Sequence, residues 1–374
     1  MRNRSWWSGT ISALVAVVWL SNAGHCDSKG KKTYAYIEQV NEATEHCYVA
    51  QFDVASNGSF TALKPRLVST DENDEYLTVD PSGKYLFTDG SVYSQTLGAI
   101  RQFVIGGNGT IADNAIPSVP TGHIPGPLSF APGGKLAIAV NNGDNTVSSY
   151  SLGSTGSLSL VNSAPTGIGP VSAVIDPTDQ FAFVAAIGVD TAPQATISEY
   201  TISPDGTLTL IVTFDISLIP IATVISPHGF LYVSEVQPSE NGPQPGAIVE
   251  FSINEANGGL SVVNTYSTAD SNPGPTIFDP AGAYAYVTNA DSLTISQFAV
   301  NASTGALTEN GPDIPSGNGP MHGVVDPSGK FLFLPNVPEV SRFLINAEGK
   351  LTPDGTAGFL GARVYPYAMA ITLH

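Results

Sequence analysis

Two octapeptides far apart in the chain are nearly identical: residues 80–87 read Asp-Pro-Ser-Gly-Lys-Tyr-Leu-Phe, and residues 326–333 read Asp-Pro-Ser-Gly-Lys-Phe-Leu-Phe. Four further segments repeat this turn and the apolar run after it, beginning at Ala131, Asp176, Ser226 and Asp279. Proline presets φ for a turn, Asp or Ser accepts hydrogen bonds from the turn backbone, and Gly adopts a positive φ. The six copies predict six tight hairpins, each ending one strand and beginning the next.

A second repeat alternates with the first and consists of x-Gly-x followed by Leu, Ile or Phe. Its seven copies are 44 to 52 residues apart, and their glycines are Gly58, Gly109, Gly156, Gly206, Gly258, Gly305 and Gly349. The segments between the turns are short runs rich in Val, Ile, Thr, Tyr and Phe, which is typical of strands. A period of this length with four strands per unit predicts an all-β protein, a seven-bladed β-propeller.

The first repeat unit lacks an inner strand, and the end of the chain can supply it. Six Asp-Pro-type turns against seven glycine turns indicate that the chain enters the fold at a second strand, Thr33 to Ile37. The segment from Tyr365 to Thr372 resembles the inner strands of the other units. We expect this C-terminal strand to complete the N-terminal blade and close the ring, because closure protects the sheet edges.

The N-terminus has the layout of a secretory signal peptide. Arg2 and Arg4 precede an apolar run from Ile11 to Leu20, and the small residues Ser21 and Ala23 follow it. The chain therefore divides into a signal peptide (1–23), a linker (24–31) and the propeller (32–374). An uncleaved membrane anchor is the alternative, but this apolar run is short for spanning a bilayer. We expect a secreted or periplasmic protein with no integral membrane span after processing.

Both cysteines lie near the start of the mature chain. Cys26 and Cys47 could pair in an oxidising compartment and pin the leading segment. The rival interpretation makes Cys26 the lipidated first residue of a lipoprotein, but His25 stands where lipoproteins usually carry a small residue. We favour the disulfide.

The charge balance restricts the partners. The chain has 32 Asp and Glu against 14 Lys and Arg, a net charge of −18, so it repels nucleic acid and anionic lipid. The loops on the face with the fourth-to-first strand connections are rich in acids, and converging oxygen ligands suit Ca²⁺. Turn chemistry and solubility already account for these acids, so we expect no metal site and no cofactor. We expect a monomer whose partner is a small molecule, a glycan or a protein bound at that face.

The repeats resemble those of the lactonase propeller family. Residues 286–289 spell Tyr-Val-Thr-Asn, the core of the YVTN-type repeat, and the wider cycle Gly-x-x-Pro, Asp-Pro-x-Gly-Lys-x-Leu, Ser-x-Tyr, x-x-Gly-x-Leu is similar to that of the family. The resemblance covers about Lys32 to His374. The family includes a type of 6-phosphogluconolactonase and fungal carboxymuconate cyclases, so the resemblance implies chemistry on a lactone.

The resemblance also implies candidate catalytic residues. Family members often carry an acid just after a second strand, and in Leu231–Val236 this carboxylate is Glu235. They often carry Gly-Pro-Arg-His at the start of an inner strand, and residues 319–322 keep His322 but have Met321 in place of Arg. The other inner strands carry apolar or small residues at the positions that we align, as in 127–129 and 275–277. The cationic half of the family's site is missing.

Two functions therefore stay open. Opening a lactone develops negative charge on the carbonyl oxygen, and fixed donors such as Arg stabilise this charge. A phosphorylated sugar also needs Arg or Lys side chains to bind its phosphate. A non-catalytic propeller that binds a ligand or protein is slightly favoured. The alternative is a lactone hydrolase acting on a non-phosphorylated lactone with Glu235 as the base. His123, near the start of an inner strand, and Arg363, in a loop on the face with the fourth-to-first strand connections, are candidate ligand-binding residues.

Overall fold

The structure is a computed structural model of the chain. It describes residues 31–41, 46–70, 74–90, 97–188, 195–236, 245–268, 272–317, 322–361 and 364–374. Within these ranges all regular structure is β-strand, and no helix is long and apolar enough to span a membrane.

Seven antiparallel sheets form the blades, and each begins with an inner strand followed by a second strand. The inner strands are β4 (Asp74–Val79), β8 (Pro125–Phe130), β12 (Pro170–Ile175), β16 (Ile219–Ile225), β20 (Pro273–Phe278), β25 (Val324–Val325) and β29 (Val364–Leu373). The second strands are β1 (Thr33–Asn41), β5 (Tyr85–Gly90), β9 (Leu136–Asn141), β13 (Phe181–Ala186), β17 (Leu231–Val236), β21 (Tyr284–Asn289) and β26 (Phe331–Pro335).

A third and a fourth strand complete each blade towards the outside of the ring. The third strands are β2 (Cys47–Val54), β6 (Leu97–Ile105), β10 (Thr146–Leu152), β14 (Thr196–Ile202), β18 (Ala247–Ile253), β22 (Thr294–Val300) and β27 (Glu339–Ile345). The fourth strands are β3 (Phe60–Ser69), β7 (Ile111–His123), β11 (Leu158–Pro165), β15 (Leu208–Asp215), β19 (Leu260–Ser267), the pair β23 (Leu307–Glu309) and β24 (Ile314–Pro315), and β28 (Leu351–Phe359).

The predicted ring closure is confirmed. Strand β29 pairs antiparallel with β1, from Thr33 opposite Leu373 to Asn41 opposite Val364, so blade 1 has the strand order β29-β1-β2-β3. Blades 2 to 7 follow in chain order from β4 to β28. The last strand is buried along most of its length, because it lies between the rest of its blade and the channel.

The two sequence repeats pack against each other between neighbouring blades. A residue at or next to the start of each second strand covers the turn glycine of the next blade, as Tyr34 covers Gly109 and Tyr85 covers Gly156. A Cβ on either glycine would overlap the tyrosine ring, and both glycines have positive φ, 80° and 78°. The same arrangement recurs around the ring, and it explains why an aromatic residue usually follows the Asp-Pro turn.

Buried amides on third strands tie neighbouring blades together. Gln51 Nε2 donates to Pro65 O of its own blade at 2.9 Å, and its Oε1 accepts the Ile111 N–H of the next blade at 2.6 Å. Gln102 and Gln297 make equivalent bonds in blades 2 and 6. Blade 4 has Glu199 at this place, and its Oε1 accepts the Leu260 N–H at 3.0 Å. These bonds join each of these blades to the next one along the chain.

Candidate functional site

One position recurs at the end of the second strand in several blades and carries a buried polar side chain. Asn141 occupies it in blade 3, Glu235 in blade 5 and Asn289 in blade 6, each paired with the proline near the start of its inner strand. Asn336 occupies the corresponding place in blade 7, directly after β26. All four side chains are buried. The position therefore places a polar group beside the inner strand at one end of the channel.

The asparagines at this position serve to hold the blade together. Asn141 Oδ1 accepts hydrogen bonds from Thr121 Oγ1 at 2.7 Å and from the Gly122 N–H at 2.9 Å. Its Nδ2 donates to Thr146 Oγ1 at 3.0 Å and to Ser148 Oγ at 2.9 Å. The asparagines of blades 6 and 7 donate to hydroxyls of β22 and β27 in the same way. Asn141, with both amide atoms paired, stabilises the fold and is not available for chemistry, whereas the buried Oδ1 atoms of Asn289 and Asn336 have no hydrogen-bond partner among the described residues.

Glu235 occupies the same position without those partners. Ala247 lies opposite it on the third strand, and Val249 lies two residues further on, where blade 3 has Thr146 and Ser148. The side chain is only 3% exposed. Burial removes water from the carboxylate, and the neighbouring side chains supply no hydrogen-bond donors to replace it. The ionised form of Glu235 is therefore disfavoured.

This burial changes the acid–base behaviour of Glu235. Desolvation raises the pKa of its carboxyl group to about 7, from an ordinary value near 4.5. A carboxyl group with this pKa is partly ionised at neutral pH and can both accept and return a proton there. Raised carboxyl pKa values of this kind are common at catalytic sites, although structural burial also produces them.

His322 lies just before β25 in blade 7, two blades from Glu235. Its Nδ1 is sealed from solvent and has no hydrogen-bond partner, while other parts of the residue keep some exposed surface. Burial lowers the pKa of the imidazole to about 3. His322 is therefore neutral at physiological pH, so it can donate one N–H bond but cannot supply the positive charge missing from the family's pattern.

His123, the last residue of β7, forms a close pair with Asp144 of blade 3. The Nδ1 atom of His123 lies 2.7 Å from Asp144 Oδ1, and the backbone N–H of His123 donates to Asp144 Oδ2 at 2.7 Å. The pKa of the Asp144 carboxyl is lowered, chiefly by the hydrogen bond from the His123 backbone N–H. Slight desolvation raises this pKa, and the His123 imidazole lowers it further. The pair lies at the junction of blades 2 and 3, away from blade 5.

The remaining sequence-based candidates fall outside the site or outside the described residues. Arg363, Cys26 and the signal peptide lie outside the described residues, so the disulfide and the export stay predictions. Cys47 is buried at the start of β2. No group of three or more His, Cys, Asp or Glu side chains in the described ranges could hold a metal ion.

The strands nearest the channel carry no positive charge: none of the inner and second strands contains Lys or Arg. The arginines at 101 and 342 lie on third strands and form ion pairs with aspartates of the same blades, at 3.1 and 2.9 Å.

The sequence alignment of the inner strands of blades 3 and 6 is two residues off, because these strands open at Pro125 and Pro273. The corrected positions also lack a cation, since glycine and proline follow in both.

Sequence reasoning found Glu235 but missed its relation to the asparagines. A signal was available: Tyr232-Val233-Ser234-Glu235 aligns with Tyr286-Val287-Thr288-Asn289, although the turn before Glu235 is one residue shorter than the others. The hydroxyl partners could not be found in this way, because they depend on which residues of the third strand lie opposite.

A scan of known families matches residues 221–320 to the family described as "Lactonase, 7-bladed beta-propeller". The match includes Glu235 and ends before His322. The resemblance to the lactonase family is confirmed. No curated protein matches the chain significantly.

Solved structures support the same fold at low sequence identity. A candidate 6-phosphogluconolactonase from Bacteroides uniformis is 19% identical, with a TM-score of 0.74 over 91% of this chain and 99% of that one. A protein from Lactobacillus plantarum is 17% identical, with a TM-score of 0.74 over the same shares. A candidate 6-phosphogluconolactonase from Bacteroides fragilis is 17% identical, with a TM-score of 0.72 over 93% and 99%. At these identities the likeness establishes the shared propeller alone.

Proposed function

We propose that this lactonase-type propeller, exported from the cytoplasm, hydrolyses an uncharged lactone at one end of its channel, with Glu235 as the general base. The observation that carries the proposal is the surroundings of Glu235. Three other blades place asparagine at its position, two of them beside paired strand hydroxyls, whereas blade 5 buries a carboxyl group beside Ala247 and Val249. A buried carboxyl group without hydrogen-bond donors costs stability, so a function is the better explanation for it.

The reaction needs only water as a second reactant. The Glu235 carboxylate takes a proton from a water molecule, whose oxygen attacks the lactone carbonyl carbon and forms a tetrahedral intermediate. The bond from this carbon to the ring oxygen then breaks, and the leaving alkoxide takes the proton back from Glu235. The product is the open hydroxy acid. With a pKa near 7, the carboxyl group is suited to both proton transfers at neutral pH.

The absence of Lys and Arg from the inner and second strands selects the substrate. A phosphate or carboxylate group would find no cation on these described strands and would be repelled by an acidic protein. Neutral donors would have to stabilise the oxyanion, and the neutral imidazole of His322 is one candidate. Neutral donors stabilise an oxyanion less than Arg does, so we expect a reactive lactone rather than a stable ester.

The test compares purified wild-type protein with Glu235→Gln on a panel of neutral lactones, including glucono-δ-lactone and simple alkyl lactones. The wild type should open at least one of them, and the variant should lose at least 100-fold in kcat/KM. Glu199→Gln is the matched control: it replaces another buried glutamate by the residue that blades 1, 2 and 6 carry at that place, and it should leave kcat/KM unchanged. No turnover of any lactone, or equal turnover by wild type and Glu235→Gln, would exclude the proposal.

The pH dependence gives a second readout from the same experiment. Because the base must be ionised, kcat/KM should rise with pH and level off above about pH 7, the pKa of Glu235. A profile that is flat from pH 5 to 8 would contradict general-base catalysis by this residue.

A second candidate function is ligand binding without catalysis at the same end of the channel. The missing positive charge on the channel strands favours it, because an oxyanion site without a cation is weak. A compound that raises the melting temperature of the protein but is not converted would support this candidate.

A further inference from the structure

A cleft of about 360 Å³ opens at the junction of blades 2 and 3, two blades from Glu235. The end of β7 forms one wall, and the third and fourth strands of blade 3 form the other. We call it the junction cleft. Its volume lies within the usual range for small-molecule sites, and the function proposed above makes no use of it.

The floor of the junction cleft carries ordered hydroxyl groups. Asn141 Nδ2 donates to Thr146 Oγ1 and Ser148 Oγ, and Ser148 Oγ lies 2.8 Å from Ser163 Oγ. Thr146 thus accepts a bond, while its own hydroxyl proton has no acceptor among the described residues. Asp144 adds acceptors at the rim, because each carboxylate oxygen keeps a lone pair beyond its bond to His123. Asn141 and Ser148 are themselves buried, so the polar groups left for a ligand are the Thr146 and Ser163 hydroxyls and the Asp144 carboxylate.

Charge and shape restrict what this array can bind. Asp144 stays ionised at neutral pH, since its bonds to His123 lower its pKa, so the rim repels phosphate and carboxylate groups. A single carboxylate already bonded to an imidazole is a poor cation site, and none of the described residues forms a metal-binding cluster. Leu160, 57% exposed, and Pro120 add apolar edges. A ligand that fits this cleft has neighbouring hydroxyl groups to pair with the polar side chains and C–H groups to contact the apolar edges. A neutral sugar or polyol has both.

The next junction, between blades 3 and 4, has the same pair of hydroxyls on its third and fourth strands but lacks the asparagine. Ser198 Oγ lies 2.8 Å from Thr213 Oγ1, but Ala186 replaces the asparagine. The hydroxyl of Thr196 is sealed there and has no partner. The Tyr200 hydroxyl donates to the Pro165 carbonyl at 2.6 Å, whereas the equivalent Tyr150 bond in the junction cleft is 3.3 Å long. This second junction is a natural control within the same chain.

We propose that the junction cleft is a binding site for a neutral carbohydrate or polyol. The site is independent of the Glu235 chemistry, because it lies on different blades and uses hydroxyls and one carboxylate rather than a general base. It would let the protein hold a glycan or polyol on its side while the channel acts on another molecule.

The test is ligand-observed saturation-transfer NMR on the full mature chain, with cellotriose, maltotriose, laminaritriose, chitotriose and sorbitol as probes. At least one probe should receive saturation from the wild type. Leu160→Glu, which places a charge over the cleft, should weaken that binding at least tenfold. The matched control Leu210→Glu makes the same change at the equivalent exposed residue of the next junction, and it should bind as the wild type does.

Failure of all five probes, or equal loss of binding in both leucine variants, would overturn the proposal. Because both leucines are exposed, circular dichroism should show both variants folded. Glu235→Gln should keep the binding, so failure at the channel and failure at the junction cleft are distinguishable.

Discussion

Blades 3 and 5 use one position of the repeat in opposite ways. In blade 3, Asn141 makes four hydrogen bonds, three of them to strand hydroxyls, and links the fourth strand of blade 2 to its own blade. In blade 5, Glu235 lies at the same place beside Ala247 and Val249, and burial alone shifts its pKa. The same place in the repeat can thus stabilise the ring in several blades and, in one blade, carry a side chain that is suited to chemistry.

The largest expected effect is on stability, and it should appear only in blade 3. Asn141→Ala leaves the buried Thr121 hydroxyl and the half-buried Gly122 N–H without an acceptor, which should cost about 4 kcal/mol in free energy of unfolding. Glu235→Ala removes no such bond, and at pH 4.5, where the carboxyl group is protonated in the folded protein, it should change the stability by less than about 1 kcal/mol. Urea unfolding of both variants measures the two values. Equal losses would mean that Glu235 is also structural.

A smaller effect concerns the pH dependence of stability. The pKa of Glu235 is higher in the folded protein, about 7, than in the unfolded chain, so the native state holds the extra proton. The folded state should therefore lose stability as pH rises from about 4.5 to 7, by roughly 3 kcal/mol for this one group. Glu235→Gln should remove that loss. A wild-type and variant difference that stays constant between pH 4.5 and 8 would contradict the buried, unpaired carboxyl group.

The smallest effect comes from giving blade 5 the hydroxyls of blade 3. Ala247→Thr with Val249→Ser should place two donors beside Glu235, stabilise its ionised form by about 1 kcal/mol and lower its pKa by about one unit. The midpoint of the pH–rate profile should move down with it. As a control, the same double change in a Glu235→Gln background should leave the residual rate independent of pH. A midpoint that stays near pH 7 would show that these positions do not face the carboxyl group.

Some features of the site could be anticipated from the sequence and others could not. Glu235 was found from its resemblance to a family pattern, and the lack of Arg on the inner strands was evident from the residues. The alignment of the inner strands in blades 3 and 6 is two residues off, because each of these strands has two prolines, at 125 and 127 and at 273 and 275, and the strand opens at the first of them. The His123–Asp144 pair was missed, because it joins the end of one blade to a turn of the next.

The bonds between blades were also beyond the sequence. Gln51 contacts the backbone of Ile111, 60 residues further along the chain, and nothing local to either residue indicates it. The same is true of the tyrosine rings that cover the turn glycines. The glycines were recognised as turn residues, but the ring that excludes a Cβ at each one comes from the neighbouring blade.

The sequence by itself determined the number of blades, the turns between strands and the closure of the ring by the last strand. These features follow from period and from local turn chemistry, which each segment carries with it. Only the tertiary structure decided the chemical character of Glu235. The pKa of a carboxyl group depends on the groups packed around it, and for Glu235 those groups come from other strands whose register is set only when the blade has formed.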